Sequence, residues 1–155
     1  AMDAAVGLLA RRPRSERELR RRLEMRRVTP ELADETIERL RTLKLIDDAA
    51  FARSWTETRD RTSPRGRRMI VAELRGHGVE ATVARTATSD VDEADAAYRL
   101  ASKRAARLGD GNYATFASRV GGMLQRRGFG WEITRTTVAL CWAEYGGDGA
   151  DDAIE

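Results

Sequence analysis

Apolar residues fall at the same four spacings three times along this chain. The first set is Leu19, Leu23, Val28 and Leu32, the second Ile70, Leu74, Val79 and Val83, and the third Val120, Leu124, Phe129 and Ile133. The offset is 51 residues between the first two sets and 50 between the last two. Within each set an i, i+4 pair, a turn and a second i, i+4 pair describe two short amphipathic helices joined by a tight corner. A repeat of this period marks a chain built from stacked supersecondary units, each too small to bury its apolar face alone. The twelve apolar positions are expected to form a shared core.

The polar residues between them supply the helix ends. Ser15 followed by Glu18 reads as a capping box, and that helix is expected to run to about Met25. Thr29 caps the next helix with Pro30 at its first position, where a missing N–H costs nothing. Ser63-Pro64 is expected to open the matching helix of the second repeat, and Gly76-His77-Gly78 to stop it. Pro13-Arg14 aligns with Pro64-Arg65 at the same offset of 51.

One more helix precedes each pair. Residues 2–10 supply the first (Val6, Leu8, Leu9). Asp47 or Asp48 caps the second, with Phe51, Ala52 and Trp55 on one face. Asp92 begins the third, with Ala94, Ala97, Tyr98, Ala101 and Ala105. No stretch alternates in the manner of a strand. The predicted fold is all-α, an elongated array of three tandem three-helix modules over 1–46, 47–89 and 90–146, followed by a flexible acidic tail over 147–155.

Charge is unevenly placed along this frame. Residues 1–89 hold 20 Lys and Arg against 14 Asp and Glu, whereas residues 90–155 hold 8 against 11. Nine arginines and three glutamates lie between 10 and 27. Arginine is the residue suited to bidentate pairing with carboxylate or phosphate, so this cluster suggests an anionic partner. No apolar run approaches the length of a membrane span. Cys141 is the only cysteine, which excludes an intramolecular disulfide and fits a reducing cytoplasm.

Catalytic patterns are missing. No glycine-rich phosphate loop is present. His77 and Cys141 are each unique and lie in different repeats, so neither a metal site nor a Cys-His nucleophile assembles from them. Asp47-Asp48 reads as a cap at a helix dipole rather than as an acid–base pair. Gly121-Gly122 reads as a close helix approach or an interruption of its helix. Trp55, Trp131 and Trp142 are assigned to the core, although an exposed one would be a candidate anchor. The chain is expected to be non-enzymatic, with no cofactor or metal.

Four strings resemble the RecX regulatory family. Ser15-Glu-Arg-Glu-Leu19-Arg-Arg-Arg-Leu23 is similar to its serine-led first-module segment, and Leu45-Ile46-Asp47-Asp48-Ala49-Ala50-Phe51-Ala52 to its Asp-Asp motif. Gly66 to Val79 and Leu124-Gln-Arg-Arg127-Gly128-Phe129 resemble its second and third module signatures. The family often has glycine where this chain has Arg27, and a basic residue where it has His77. The third repeat lacks a proline matching Pro13 and Pro64. The resemblance implies a negative regulator that binds the RecA recombinase filament on single-stranded DNA and suppresses its ATPase and strand exchange; the chain is expected to be a cytoplasmic monomer. Single-stranded DNA itself would be contacted indirectly or weakly. The alternative is a DNA-binding helical module acting through its arginine-rich N-terminal helices. In either case the candidate contacts are Arg17, Arg20 and Arg21 on the first repeat, Arg65, Arg67, Arg68 and Arg75 on the second, and Arg126 and Arg127 on the third. Arg22 and Arg26 flank the apolar stripe and are expected to be poorer contacts.

Overall fold

The computed structural model describes residues 1–108 and 111–146, and among them it is built from helices with no strand. The predicted tail over 147–155 lies outside the described residues. The helices are α1 (Met2–Leu9), α2 (Glu16–Met25), α3 (Pro30–Thr42), α4 (Asp48–Thr62), α5 (Arg67–Gly76), α6 (Ala81–Thr88), α7 (Glu93–Leu108), α8 (Tyr113–Arg126) and α9 (Trp131–Tyr145). The fold is all-α, in tandem helical units. The chain divides into two compact parts, one made of Ala1–Glu57 with Val71–Ser89, the other of Thr58–Ile70 with the described residues from Asp90 onward.

Side-chain caps decide where most of these helices begin. The Ser15 hydroxyl accepts from Glu18 N–H at 3.2 Å, and that of Thr29 from Leu32 N–H at 3.4 Å. Asp47 accepts from Ala49 and Ala50 N–H, Asp92 from Asp95 N–H, and Asn112 from Thr115 N–H. Each satisfies an N–H that the helix leaves without an internal partner. Two sequence expectations fail here. Glu18 turns to Arg12 and Arg14 instead of completing the box with Ser15. Ser63-Pro64 does not open α5, which starts at Arg67 after Gly66 packs into a neighbouring turn.

Three of the four repeat columns are core. Leu19, Leu23, Ile70, Leu74, Val79, Val120, Leu124 and Phe129 are buried, and Val28 is half-buried. The fourth column drifts outward. Val83 and Ile133 are half-buried and Leu32 is 45% exposed, so the expectation of twelve core positions is corrected. The buried stripe of the third helix in each repeat begins one residue later, at Ala33, Ala84 and Thr134. Small residues there let the helix approach its neighbours closely. Thr36 and Thr88 within the stripes satisfy their hydroxyls on their own helix, on Leu32 O and Ala84 O, whereas the buried Thr134 hydroxyl has no partner among the described residues. The leading helices need similar adjustment, for Ala5 is buried where Val6 is exposed, and Ala96 is buried where Ala94 is exposed.

In the first part the core is Ala5, Leu8, Leu19, Leu23, Ala33, Ile37, Leu40 and Ile46. In the second it is four alanines of α7 (Ala96, Ala97, Ala101, Ala105) against Phe116, Val120, Leu124, Phe129, Val138 and Cys141. α8 runs unbroken through Gly121-Gly122. Gly121 is buried, and a Cβ there would lie 3.6 Å from Thr134 and 3.7 Å from Val138, an ordinary packing distance. The pair therefore allows a close approach to α9 and does not interrupt its helix.

The turn before the third column takes a left-handed residue in every repeat: Arg27 (φ 61), Gly78 (φ 87) and Gly128 (φ 86). Glycine is demanded twice over at the last two, because a Cβ on Gly78 would lie 2.6 Å from Arg17 Cβ and one on Gly128 2.5 Å from Met69 Cβ. The Arg27 side chain is exposed, so steric crowding does not exclude it. Only the backbone cost remains, and Arg27→Gly is expected to raise stability by up to about 1 kcal/mol. The measurement is a shift of the urea midpoint to higher concentration at unchanged slope. A lower midpoint would mean that the arginine side chain itself supports the turn.

Candidate partner-binding surface

One contact is built twice in the chain, each time within one of the compact parts. In the first, the N-terminus of α2 meets the turn between α5 and α6. Ser15 Oγ donates to His77 O at 2.6 Å, and Glu16 N–H donates to the Asp48 carboxylate at 3.0 Å. In the second, the N-terminus of α5 meets the turn between α8 and α9. Gly66 N–H donates to Arg127 O at 2.9 Å, and Arg67 N–H to the Glu93 carboxylate at 2.8 Å. Residues 15 and 16 precede 66 and 67 by 51, and 77 precedes 127 by 50, so the repeat covers the joints as well as the core. A carboxylate at the start of a helix binds the open N–H of another helix in both. Burial raises the Asp48 carboxyl above its ordinary value, and Glu16 and Asp47 add to the rise, against the lowering effect of the Glu16 N–H bond.

These joints account for several arginines that the sequence marks as binding candidates. Arg127 is half-buried and donates to Ser63 Oγ at 2.7 Å. Arg67 is exposed yet tethered, its Nε donating to Val91 O at 3.2 Å. Arg65 is half-buried, and its guanidinium is held below its ordinary pKa first by desolvation and then by Arg59 and Arg127 nearby. Its counterpart Arg14, in the Pro-Arg column, is buried and donates to Leu8 O at 3.1 Å. The matching arginines thus belong to folding. Arg20 pairs with Asp34 of α3. Arg20, Arg65 and Arg127 are therefore not the open groups that helix spacing predicts.

The other candidates remain open. Arg17, Arg21, Arg68, Arg75 and Arg126 are exposed and make no salt bridge among the described residues. Arg22 and Arg26 are exposed as well, against expectation, because the buried stripe of α2 is only Leu19 and Leu23 wide. Two of the three acids of α2, Glu16 and Glu18, are already engaged. Burial pushes the Glu18 carboxyl upward, but Arg12 and Arg14 outweigh it and hold it below the usual carboxylate range. Glu16 accepts from Arg41 at 2.7 Å. No group of three or more His, Cys, Asp or Glu side chains suited to a metal occurs among the described residues.

Aromatic residues divide in the same manner. Trp55 is half-buried against His77 and Phe51, with its indole N–H on Glu73 at 2.8 Å. Trp142 packs between Tyr113 and Phe116. Trp131 is 68% exposed, so its assignment to the core is corrected. It is the first residue of α9, three positions before the buried stripe of that helix starts at Thr134.

Comparison with known proteins agrees with the repeats. The family model for the first three-helix domain of RecX matches residues 1–40, and that for the second matches residues 47–87. Regulatory protein RecX of Amycolatopsis mediterranei is 33% identical over 159 residues, covering 99% of this chain and 91% of the relative. Its counterpart from Pelodictyon phaeoclathratiforme is 33% identical, covering 98% and 92%. The crystal structure of RecX from Lactobacillus salivarius superposes with a TM-score of 0.80 at 25% identity, over 90% of this chain and 93% of that one. With both domain models in their expected order and relatives matched along nearly their full length, the chain belongs to the RecX family of regulatory proteins.

Proposed function

We propose that this chain is a non-enzymatic negative regulator of the RecA recombinase, binding the RecA filament on single-stranded DNA and restraining its ATPase and strand exchange. The observation that carries this reading is the match to regulatory protein RecX along 99% of the chain. The exposed arginines Arg17, Arg21, Arg68, Arg75 and Arg126 support it, being spread over all three repeats. Several weak contacts on one chain add through effective concentration, so a repeated surface suits a repeating partner. The same reading takes 1–46, 47–89 and 90–146 as three modules of a cytoplasmic monomer. The test is RecA's single-stranded-DNA-dependent ATPase with substoichiometric amounts of this protein. Inhibition is expected, and its absence together with no detectable filament binding would overturn the proposal.

The second reading is direct DNA binding through the N-terminal arginines. The exposed guanidiniums of Arg17, Arg21, Arg22, Arg26 and Arg27 favour it. Phosphate-driven binding weakens steeply with salt, so a titration of duplex DNA without salt-sensitive binding would remove it.

A further inference from the structure

Trp131 leaves most of an indole in water, which forfeits burial that a tryptophan usually gains. Its surroundings are cationic. Arg135, one turn further along α9, lies over the ring with its guanidinium carbon 5.1 Å from the ring centroid. That guanidinium makes no salt bridge among the described residues. Arg126, at the end of α8, is exposed, and Gly130 caps α9 without a side chain. Between 125 and 135 there are three arginines against one acid, Glu132. The acidic balance of the C-terminal third does not reach this turn. Its excess comes from Asp148, Asp151, Asp152 and Glu155, while residues 90–146 hold eight basic against seven acidic groups.

An accessible ring with a stacked cation in a basic turn matches the chemistry of an unpaired base and its phosphates: the base stacks on the indole, and the guanidinium lies close to the backbone charge. A protein hot spot would place the tryptophan at the centre of an apolar patch. Here its exposed neighbours in sequence, from the end of α8 through the first two turns of α9, are Gln125, Arg126, Gly130, Glu132, Arg135 and Thr136. The nearest large exposed apolar side chain on the helix, Leu140, is nine residues away, about 13 Å along the axis. In duplex DNA the faces of the bases are already stacked, so this contact favours single strands.

We propose that Trp131 and Arg135 form a stacking platform for an unpaired base of single-stranded nucleic acid, and that this platform makes the chain prefer single strands to duplex. The contact is with nucleic acid alone and does not rest on the RecA reading. The test compares binding of labelled oligo-dT with a duplex of equal length, in the absence of RecA. Trp131→Ala is expected to weaken oligo-dT binding by about tenfold and to leave duplex binding unchanged. Trp131→Phe keeps a stacking face and should retain most of the affinity, which separates loss of stacking from any loss of fold. Arg135→Ala should lower the slope of log K against log salt by about 0.7 on oligo-dT. The proposal is overturned if the unaltered protein shows no preference for oligo-dT, or if Trp131→Ala weakens both DNAs equally or neither. A Trp131→Ala protein that binds oligo-dT normally but loses the RecA filament would assign the residue to a protein interface and overturn it as well.

Discussion

Gly66→Ala is expected to lower the stability of the protein by about 3 kcal/mol or more. A Cβ at Gly66 would lie 2.2 Å from Gly128 O, 2.5 Å from Gly128 C and 2.9 Å from Phe129 N. All three atoms are backbone, so no side chain can rotate away, and the N-terminus of α5 must move back from the turn. Overpacking of this kind costs about 1–3 kcal/mol. The movement also breaks the bonds from Gly66 N–H to Arg127 O and from Arg67 N–H to Glu93, each a net contribution of about 1 kcal/mol. For a chain of this size the melting temperature should fall by roughly 10 °C. Gly7→Ala is the control, since a Cβ there meets nothing within 4 Å. At that position, inside α1, alanine should raise stability by about 0.5–1 kcal/mol. If Gly66→Ala melts with the unaltered protein, the repeated joint does not hold this part of the fold together.

How much of the joint could be read from the sequence depends on which atoms make it. The apolar columns at 19, 23 and 28 and their repeats are legible because burial of large side chains is what hydrophobic periodicity records. The fourth column is not, because the third helices bury Ala33, Ala84 and Thr134. A small or hydroxylated residue carries no hydrophobic signal, although a column of small residues at offsets of 51 and 50 was there to be found. At the joints, backbone groups such as Gly66 N–H, His77 O and Arg127 O have no residue type to recognise, and the Asp48 and Glu93 carboxylates that meet them look in the sequence like ordinary acids at helix starts. Gly78 and Gly128 were visible as matching glycines, but the reason for them, a side chain from a preceding helix seated on each, is a tertiary fact.

The surface was less legible still. Helix spacing places Arg20 outward, and the Asp34 carboxylate that holds it comes from the next helix. Arg127 is at the end of a helix, yet it bonds Ser63, 64 residues earlier. Pairing of this kind depends on distances that sequence periodicity does not contain. Sequence places Trp131 in the core only because tryptophan is usually buried there. A residue at the first position of a helix escapes the periodic pattern, since the helix turns toward the core only after it.

Leu74→Ala tests the core itself, and is expected to destabilise by about 2–5 kcal/mol. Leu74 is fully buried in α5, one turn after the buried Ile70, and its carbonyl accepts from Val79 N–H at 3.0 Å to close the turn into α6. Removing the isobutyl group forfeits its transfer free energy and leaves a cavity bounded by helices whose backbones are tied at the joints, which limits how far they can collapse into it. Leu32→Ala removes the same group from the fourth column, where the side chain is already 45% exposed, and should cost no more than about 0.5 kcal/mol. The two substitutions remove the same group from the second and fourth columns of the repeat pattern, so the difference between them reports how differently those columns are buried. Equal losses in urea unfolding would mean that the sequence pattern, rather than the observed packing, describes the core.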